Sequence, residues 1–172
     1  DMALTLLPYL LRKSCDIYGI KEEILILVAT SGDTGKSALE GFKDAKGVKI
    51  CVFYPSEGVS KMQKMQMNTQ EGKNVNVVAV KGNFDDCQTA VKEIFSSAEK
   101  TAELAEKGVR LSSANSINFG RLAPQIAYYF SAYCDLVSSD QIEMGEEIDF
   151  TVPCGNFGNV LAAYYAKSCL LY

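Results

Sequence analysis

The sequence predicts an α/β fold: a three-layer αβα sandwich around a mostly parallel sheet. Apolar strand-like runs alternate with amphipathic helical stretches, the βαβα order of a sheet wound on both sides. The first run, "ILILVAT" (24–30), is apolar at nearly every position, as in a strand covered on both faces. With 172 residues, 48% of them hydrophobic and 22% charged, the chain can bury a substantial core.

Taken in order, "DMALTLLPYLLRKSCDIYG" opens the chain as an amphipathic helix without an upstream strand or cap. After the strand at 24–30, "TGKSALEGFKDAKG" reads as a helix closed by Gly47, with lysines in its last turn. The next strands are "VKICVFYP" (48–55) and "VNVVAV" (75–80). "FDDCQTAVKEIFSSAEKTAELAEKG" carries apolar residues at helical spacing and stops at Gly108, before the strand "VRLSS" (109–113). A helix follows "SSANSINFG", with Asn118 as its N-cap and Arg121 in its first turn. The polar, acidic "SSDQIEMGEE" (138–147) is the loop break, and "IDFTVP" (148–153) reads as a fifth strand before a final helix. That helix closes on "SCLLY" in mid-pattern, and both ends are read as cut, so the chain is expected to be an excised piece.

Composition excludes several functions. A net charge of -4 carries no electrostatic footprint for nucleic acid or an anionic membrane, and no apolar run approaches a membrane span. Six cysteines without a CxxC pair lack zinc-ligand spacing, so free thiols and a cytoplasmic location are expected, with no metal. Histidine is absent, which removes Ser-His-Asp and Cys-His nucleophile activation. Any chemistry must run on a lysine, a carboxyl or a bound cofactor.

Three strand-to-helix junctions carry the candidate sites. In "ATSGDTGKSALEGF", Ser31, Gly32, Asp33 and Thr34 lie at a helix N-terminus, where unpaired N–H groups favour an anion. Gly35-Lys36-Ser37 match the end of a nucleotide phosphate loop, but the first glycine of that pattern falls on Thr30, and no strand ends in the aspartate that holds magnesium. The plainer alternative is a helix cap by Asp33 or Ser31. In "PCGNFGNVL", Gly155 and Gly158 permit positive φ, so their amides and those of Asn156, Phe157 and Asn159 can curl around an anion. Neutral asparagine donors suit a phosphate ester that keeps its charge; a Gly/Asn turn is the alternative. In "LSSANSINFGRLAPQ", Asn115, Ser116 and Asn118 crowd a strand exit, and Arg121 opposes the helix dipole, which points to a phosphate or carboxylate contact or to a solvated arginine.

Together "SGDTGKSALEGF" (31–42), "FYPSEGVSKMQKMQM" (53–67), "SSANSINFGRLAPQ" (112–125) and "VPCGNFGN" (152–159) resemble threonine synthase, a pyridoxal-phosphate enzyme of the tryptophan-synthase-β-like, fold type II, group. The resemblance implies that Gly155 to Asn159 cradle the cofactor phosphate. It implies that Ser31, Gly32, Asp33 and Thr34 form the loop approaching the cofactor ring and the substrate carboxylate. Asn115, Ser116, Asn118 and Arg121 then belong to the substrate side, with Arg121 assigned to its phosphate by charge. The implied reaction is a lyase step in threonine biosynthesis, converting O-phosphohomoserine and water to L-threonine and phosphate. A threonine dehydratase-like lyase and a non-catalytic phosphate-binding module are the alternatives.

Two departures accompany the resemblance. The family's Schiff-base lysine precedes an Asp-Met/Val-Ala-Leu segment, and Asp1-Met2-Ala3-Leu4 place it just before Asp1, so no catalytic residue is assigned within the chain and the piece alone is expected to be inactive. Asp33 stands where many relatives carry asparagine, so it is expected either to be protonated or to turn away and cap the helix. Residues 24–137 are expected to form a smaller mobile lobe, with 1–23 and 138–172 in a larger one. Self-association through exposed apolar surface on the last helix is expected as well.

Overall fold

The computed structural model describes residues 2–170, the side chain of Leu170 excepted. These fall into two compact units, residues 1–115 and 116–172. Helix α1 (Met2–Tyr18) is followed by β1 (Glu23–Ala29), α2 (Asp33–Phe42), β2 (Val48–Pro55), α3 (Lys61–Asn68) and β3 (Val75–Val80). Then come α4 (Phe84–Ser96), α5 (Ala98–Glu106), β4 (Val109–Ser113), α6 (Phe119–Ser138) and α7 (Gly158–Leu170).

In the first unit the four strands form one wholly parallel sheet in the order β3-β2-β1-β4. The apolar run of β1 is explained by its place: it is an interior strand, and its residues alternate between two separate cores. Ile24, Ile26 and Val28 face Leu4 and Leu7 of α1, Ala38, Leu39 and Phe42 of α2, and Met67 of α3. Leu27 and Ala29 face Cys87 and Val91 of α4, with Leu25 alongside. Helices thus cover both faces, and the three-layer α/β arrangement read from the hydrophobic pattern is the one observed. From β1 the chain moves outward through β2 and β3, then returns through β4 to the other side of β1. That reversal puts the exits of β1 and β4 side by side, where open parallel sheets leave a crevice for ligands.

Packing of α1 on α2 rests on a proline and a glycine. Pro8 lies inside α1 and has no N–H to give to the carbonyl of Leu4. Gly41 of α2 sits against that carbonyl, and a Cβ there would overlap the Leu4 oxygen and lie 3.0 Å from its carbon. The two compact units divide at 115/116; the lobes expected at 24–137, and at 1–23 with 138–172, concern a longer protein.

Three local expectations differ from the structure. Helix α2 stops at Phe42 rather than running to Gly47, because Asp44 turns to φ 53° and the Asn74 amide takes the carbonyls of Phe42 and Val48 at 2.8 and 2.9 Å. The long helical stretch after β3 is two helices. Ser97 leaves the helix (φ -80°, ψ 106°) and its hydroxyl accepts from the Lys100 amide at 3.2 Å, capping α5. Residues 148–153 form no strand. A strand exists through its hydrogen-bonded neighbour, and among the described residues none pairs with this segment.

In the second unit the 148–153 segment is held by side chains instead. The Phe150 ring meets Tyr129 edge-on at 4.9 Å, and Val152 packs against the α6–α7 core of Leu122, Tyr129, Ala162 and Ala166. On α7 the alanines face inward while Leu161, Tyr164 and Tyr165 are exposed. None of the described helices is long and apolar enough to cross a membrane.

Candidate functional site

Within the first unit, β1 ends at Ala29 and the loop to α2 is organised by the residue that follows it. Thr30 is 2% exposed. Its Oγ1 accepts from the amides of Gly32 and Gly35, both at 3.0 Å, and donates to the Gly32 carbonyl at 3.1 Å. A buried hydroxyl with all its partners folds Ser31–Thr34 into a tight turn at the start of α2. Gly32 is the N-cap and has no side chain to cap with; the Thr30 hydroxyl takes the Gly35 N–H in its place. The expected cap by Ser31 or Asp33 is therefore not formed: Ser31 is exposed, and Asp33 is the first helical residue. The Asp33 carboxylate is instead tied to α3, with Gln63 Nε2 donating to its Oδ1 at 2.9 Å. Thr34 is half-buried behind it.

The resemblance to a nucleotide phosphate loop fails here also. Lys36 Nζ is engaged by Glu40 and by Gln70. At the neighbouring exit of β4, Asn115 closes the crevice. Its Nδ2 donates to the Ala29 carbonyl at 2.9 Å and its Oδ1 accepts from the Ala29 amide at 3.2 Å. The side chain thereby prolongs the β1–β4 pairing by one residue and holds the two exits together.

The second unit carries the other candidate residues. Asn118 caps α6 as expected, its Oδ1 accepting from Gly120 N at 2.8 Å. Arg121, one turn in, is half-buried, and burial pushes its guanidinium pKa below the ordinary value; the solvated arginine of the plainer reading is not what the structure contains. At α7 the carbonyl of Phe157 accepts the first helical bond, from Leu161 N at 2.8 Å. The amides of Gly158, Asn159 and Val160 therefore have no intrahelical acceptor and open the helix end. Neither Gly155 nor Gly158 has positive φ, contrary to expectation. Glycine is required at 158 for room: a Cβ would come within 2.9 Å of Ser116 Cβ and 3.2 Å of its Oγ.

Around that helix end lies a concavity of about 560 Å³, lined by Ser116, Ile117, Asn156, Phe157, Gly158 and residues of the first turns of α7. Asn156 and Phe157 are exposed beside it. Asn159 is fixed from behind. The Tyr129 hydroxyl bonds both its side-chain and its backbone oxygen, and burial pushes the Tyr129 pKa up.

Sequence reasoning passed over Thr30, Gln63 and Tyr129. Thr30 entered only as the glycine missing from a nucleotide loop. Gln63 stood within a quoted motif, and Ser60-x-x-Gln63 is the signature of a capping box, which could have marked it. Tyr129 had no local signal, because its partner is thirty residues away.

No family model matches the chain. "Threonine synthase-like 1" of Homo sapiens is 45% identical over 177 residues, covering 97% of this chain and 23% of that protein. A threonine synthase of Pseudomonas aeruginosa is 40% identical over 168 residues, covering 98% of this chain and 33% of its own length. The crystal structure of PLP-bound threonine synthase from Brucella melitensis superposes with a TM-score of 0.77 at 39% identity, over 96% of this chain and 33% of that one. The chain thus spans about a quarter to a third of the relatives it matches. Over nearly its whole length, therefore, the chain is similar to one segment of the threonine synthases.

Proposed function

We propose that the protein containing this chain is a pyridoxal-phosphate-dependent lyase that converts O-phosphohomoserine and water to L-threonine and phosphate. The observation that carries the reading is the open start of α7: three amides without intrahelical acceptors, at a helix end that borders a concavity lined by Ser116, Asn156 and Gly158. These residues suit the phosphate of the cofactor. When bound, the cofactor would supply the electron sink that carbanion chemistry at the substrate requires.

The amides of Gly158, Asn159 and Val160 and the α7 dipole would hold a phosphate without a cation, so that it keeps its own charge. Tyr129 fixes Asn159 at the helix start, and exposed Asn156 adds a neutral donor at the rim. In the other unit, the turn organised by Thr30 would present Ser31 and the Asp33 amide to the substrate carboxylate, with Gly32 and Thr34 in the same turn. Arg121 is assigned to the substrate phosphate, because a half-buried guanidinium at a helix start gains most from an anionic partner. Asn115 holds the exits of β1 and β4 in place rather than reaching outward. We assign residues 24–137 to a smaller, mobile lobe and the flanking segments to a larger one. The six cysteines form no disulfide, in keeping with a reducing cytoplasmic setting.

The test is made on the full-length protein. Uptake of one pyridoxal phosphate per chain, followed by visible absorbance, together with release of phosphate and threonine from O-phosphohomoserine, is the expected result. Cofactor uptake without phosphate release from that substrate would move the assignment to another lyase of the fold. No uptake would overturn it in favour of a phosphate-binding module.

A further inference from the structure

Strand β3 ends the sheet, and its sequence is of the kind that invites another strand. Its six residues, Val75 to Val80, are uncharged, mostly β-branched and free of proline. Among the described residues it pairs with β2 alone, and no strand lies along its other edge. The phase of the ladder says which groups face that edge. Ile50 N donates to the Asn74 carbonyl at 2.9 Å, and Ser56 N to the Val80 carbonyl at 2.8 Å. In a parallel ladder alternate residues bond to the same neighbour, so Asn74, Asn76, Val78 and Val80 serve β2. Val75, Val77 and Ala79 turn their N–H and C=O groups outward.

At the middle of that edge the outward N–H is already taken. Val77 N donates to Asn76 Oδ1 at 3.1 Å, a bond between chain neighbours that belongs to no ladder. Asn76 is exposed, and it is the one polar side chain in a strand where asparagine is otherwise disfavoured. The ends of the edge are guarded by charge. A second copy pairing antiparallel along the whole strand must set outward residue against outward residue, Val77 on Val77 and Val75 on Ala79. That register puts Lys73 opposite the second copy's Lys81 at both ends, and both lysines are exposed. A slip of the register relieves the lysines but shortens the overlap, and it still needs the Val77 N–H.

We infer that Asn76 is an edge guard: its carboxamide occupies the outward Val77 N–H and, with Lys73 and Lys81, keeps β3 from being extended by a second copy of this chain. Burial explains why the strand is not protected by charge along its length. Val75 and Val77 pack against the core under α1 and α2, and Val80 against the core under α4, so those positions must stay apolar. Asn76 is an exposed position that can carry the protection instead. The guard works without ligand or cofactor, so it stands or falls apart from the proposed reaction.

The experiment uses the full-length protein. In the wild type, protection from backbone hydrogen exchange is expected to be about fivefold greater at Val77 than at Val75 and Ala79, because the Val77 N–H has the Asn76 acceptor. Asn76→Val removes that acceptor. It is expected to abolish the difference in dilute solution and, by sedimentation, to begin self-association at about a tenfold lower concentration than the wild type. Asn76→Asp keeps an acceptor, adds a charge and is expected to sediment as the wild type does. Ala79→Pro takes away an outward N–H that β2 does not use, so Asn76→Val combined with Ala79→Pro is expected to return association to the wild-type concentration. Equal protection at the three amides of the wild type overturns the proposal. So does an Asn76→Val protein that associates no more readily than the wild type. Association that persists with Ala79→Pro overturns it as well, since apolar adhesion rather than strand pairing is then the cause. If Asn76→Val fails to fold, the exchange measured on the wild type decides alone.

Discussion

Replacing Thr30 with valine tests how the β1 exit is built. Valine keeps the shape and removes the hydroxyl from a site that is 2% exposed. Gly35 N–H retains the Gly32 carbonyl at 3.1 Å, but Gly32 N–H loses its acceptor at 3.0 Å and the Gly32 carbonyl loses a donor. One buried donor left without a partner costs about 1–3 kcal/mol. For a chain of this size each kcal/mol moves the midpoint by about 2–4 °C, so a loss of about 2–12 °C is expected. Thr30→Ser is the control. It keeps every hydrogen bond and loses one buried methyl, about 1 kcal/mol. The expected order in thermal and urea unfolding is therefore wild type, then serine, then valine. An apolar site would give the reverse order for the two variants. Valine equal to or better than serine refutes the claim that the hydroxyl organises the turn.

Other outcomes follow from the same geometry. Gly41→Ala drives a methyl into the Leu4 carbonyl, so α1 must shift on α2; a loss of about 1–3 kcal/mol in urea unfolding is expected. Gly158→Ala brings a Cβ within 2.9 Å of Ser116 Cβ at the proposed phosphate cradle, and is expected to weaken pyridoxal phosphate uptake at least tenfold, measured by equilibrium titration. Tyr129→Phe loses the bonds to Asn159 and should cost about 1 kcal/mol by the same unfolding assay. Burial pushes the thiols of Cys51 and Cys87 up, Asp86 adding to the latter, so the folded chain holds these protons more tightly than the unfolded one. The stability they contribute is full below the ordinary thiol pKa, near pH 9, and is lost as pH rises above it; unfolding midpoints should fall there, and less steeply in a Cys51→Ala, Cys87→Ala chain.

The sheet was legible because its information is local. A run such as "ILILVAT" states by composition that both faces of the strand are covered, and four strands and their order along the chain follow from hydrophobic spacing. Caps at Asn118 and the glycine-rich starts of α2 and α7 were visible for the same reason: the chemistry of a helix end lies within four residues. "IDFTVP" has strand composition too, yet pairing is a property of a neighbour, and among the described residues it has none. The inner workings of the site are likewise long-range. Asn115 meets Ala29 across 86 residues, Gln63 meets Asp33 across 30, and Gly41 meets the carbonyl that Pro8 leaves open on another helix. Sequence alone determined the four strands of the sheet and marked the glycine-rich starts of α2 and α7. Only the tertiary structure decided that Thr30 shapes the turn, that Gln63 holds Asp33, and that Gly158 is needed for space rather than for backbone freedom, because each depends on an atom that folding brings from elsewhere in the chain.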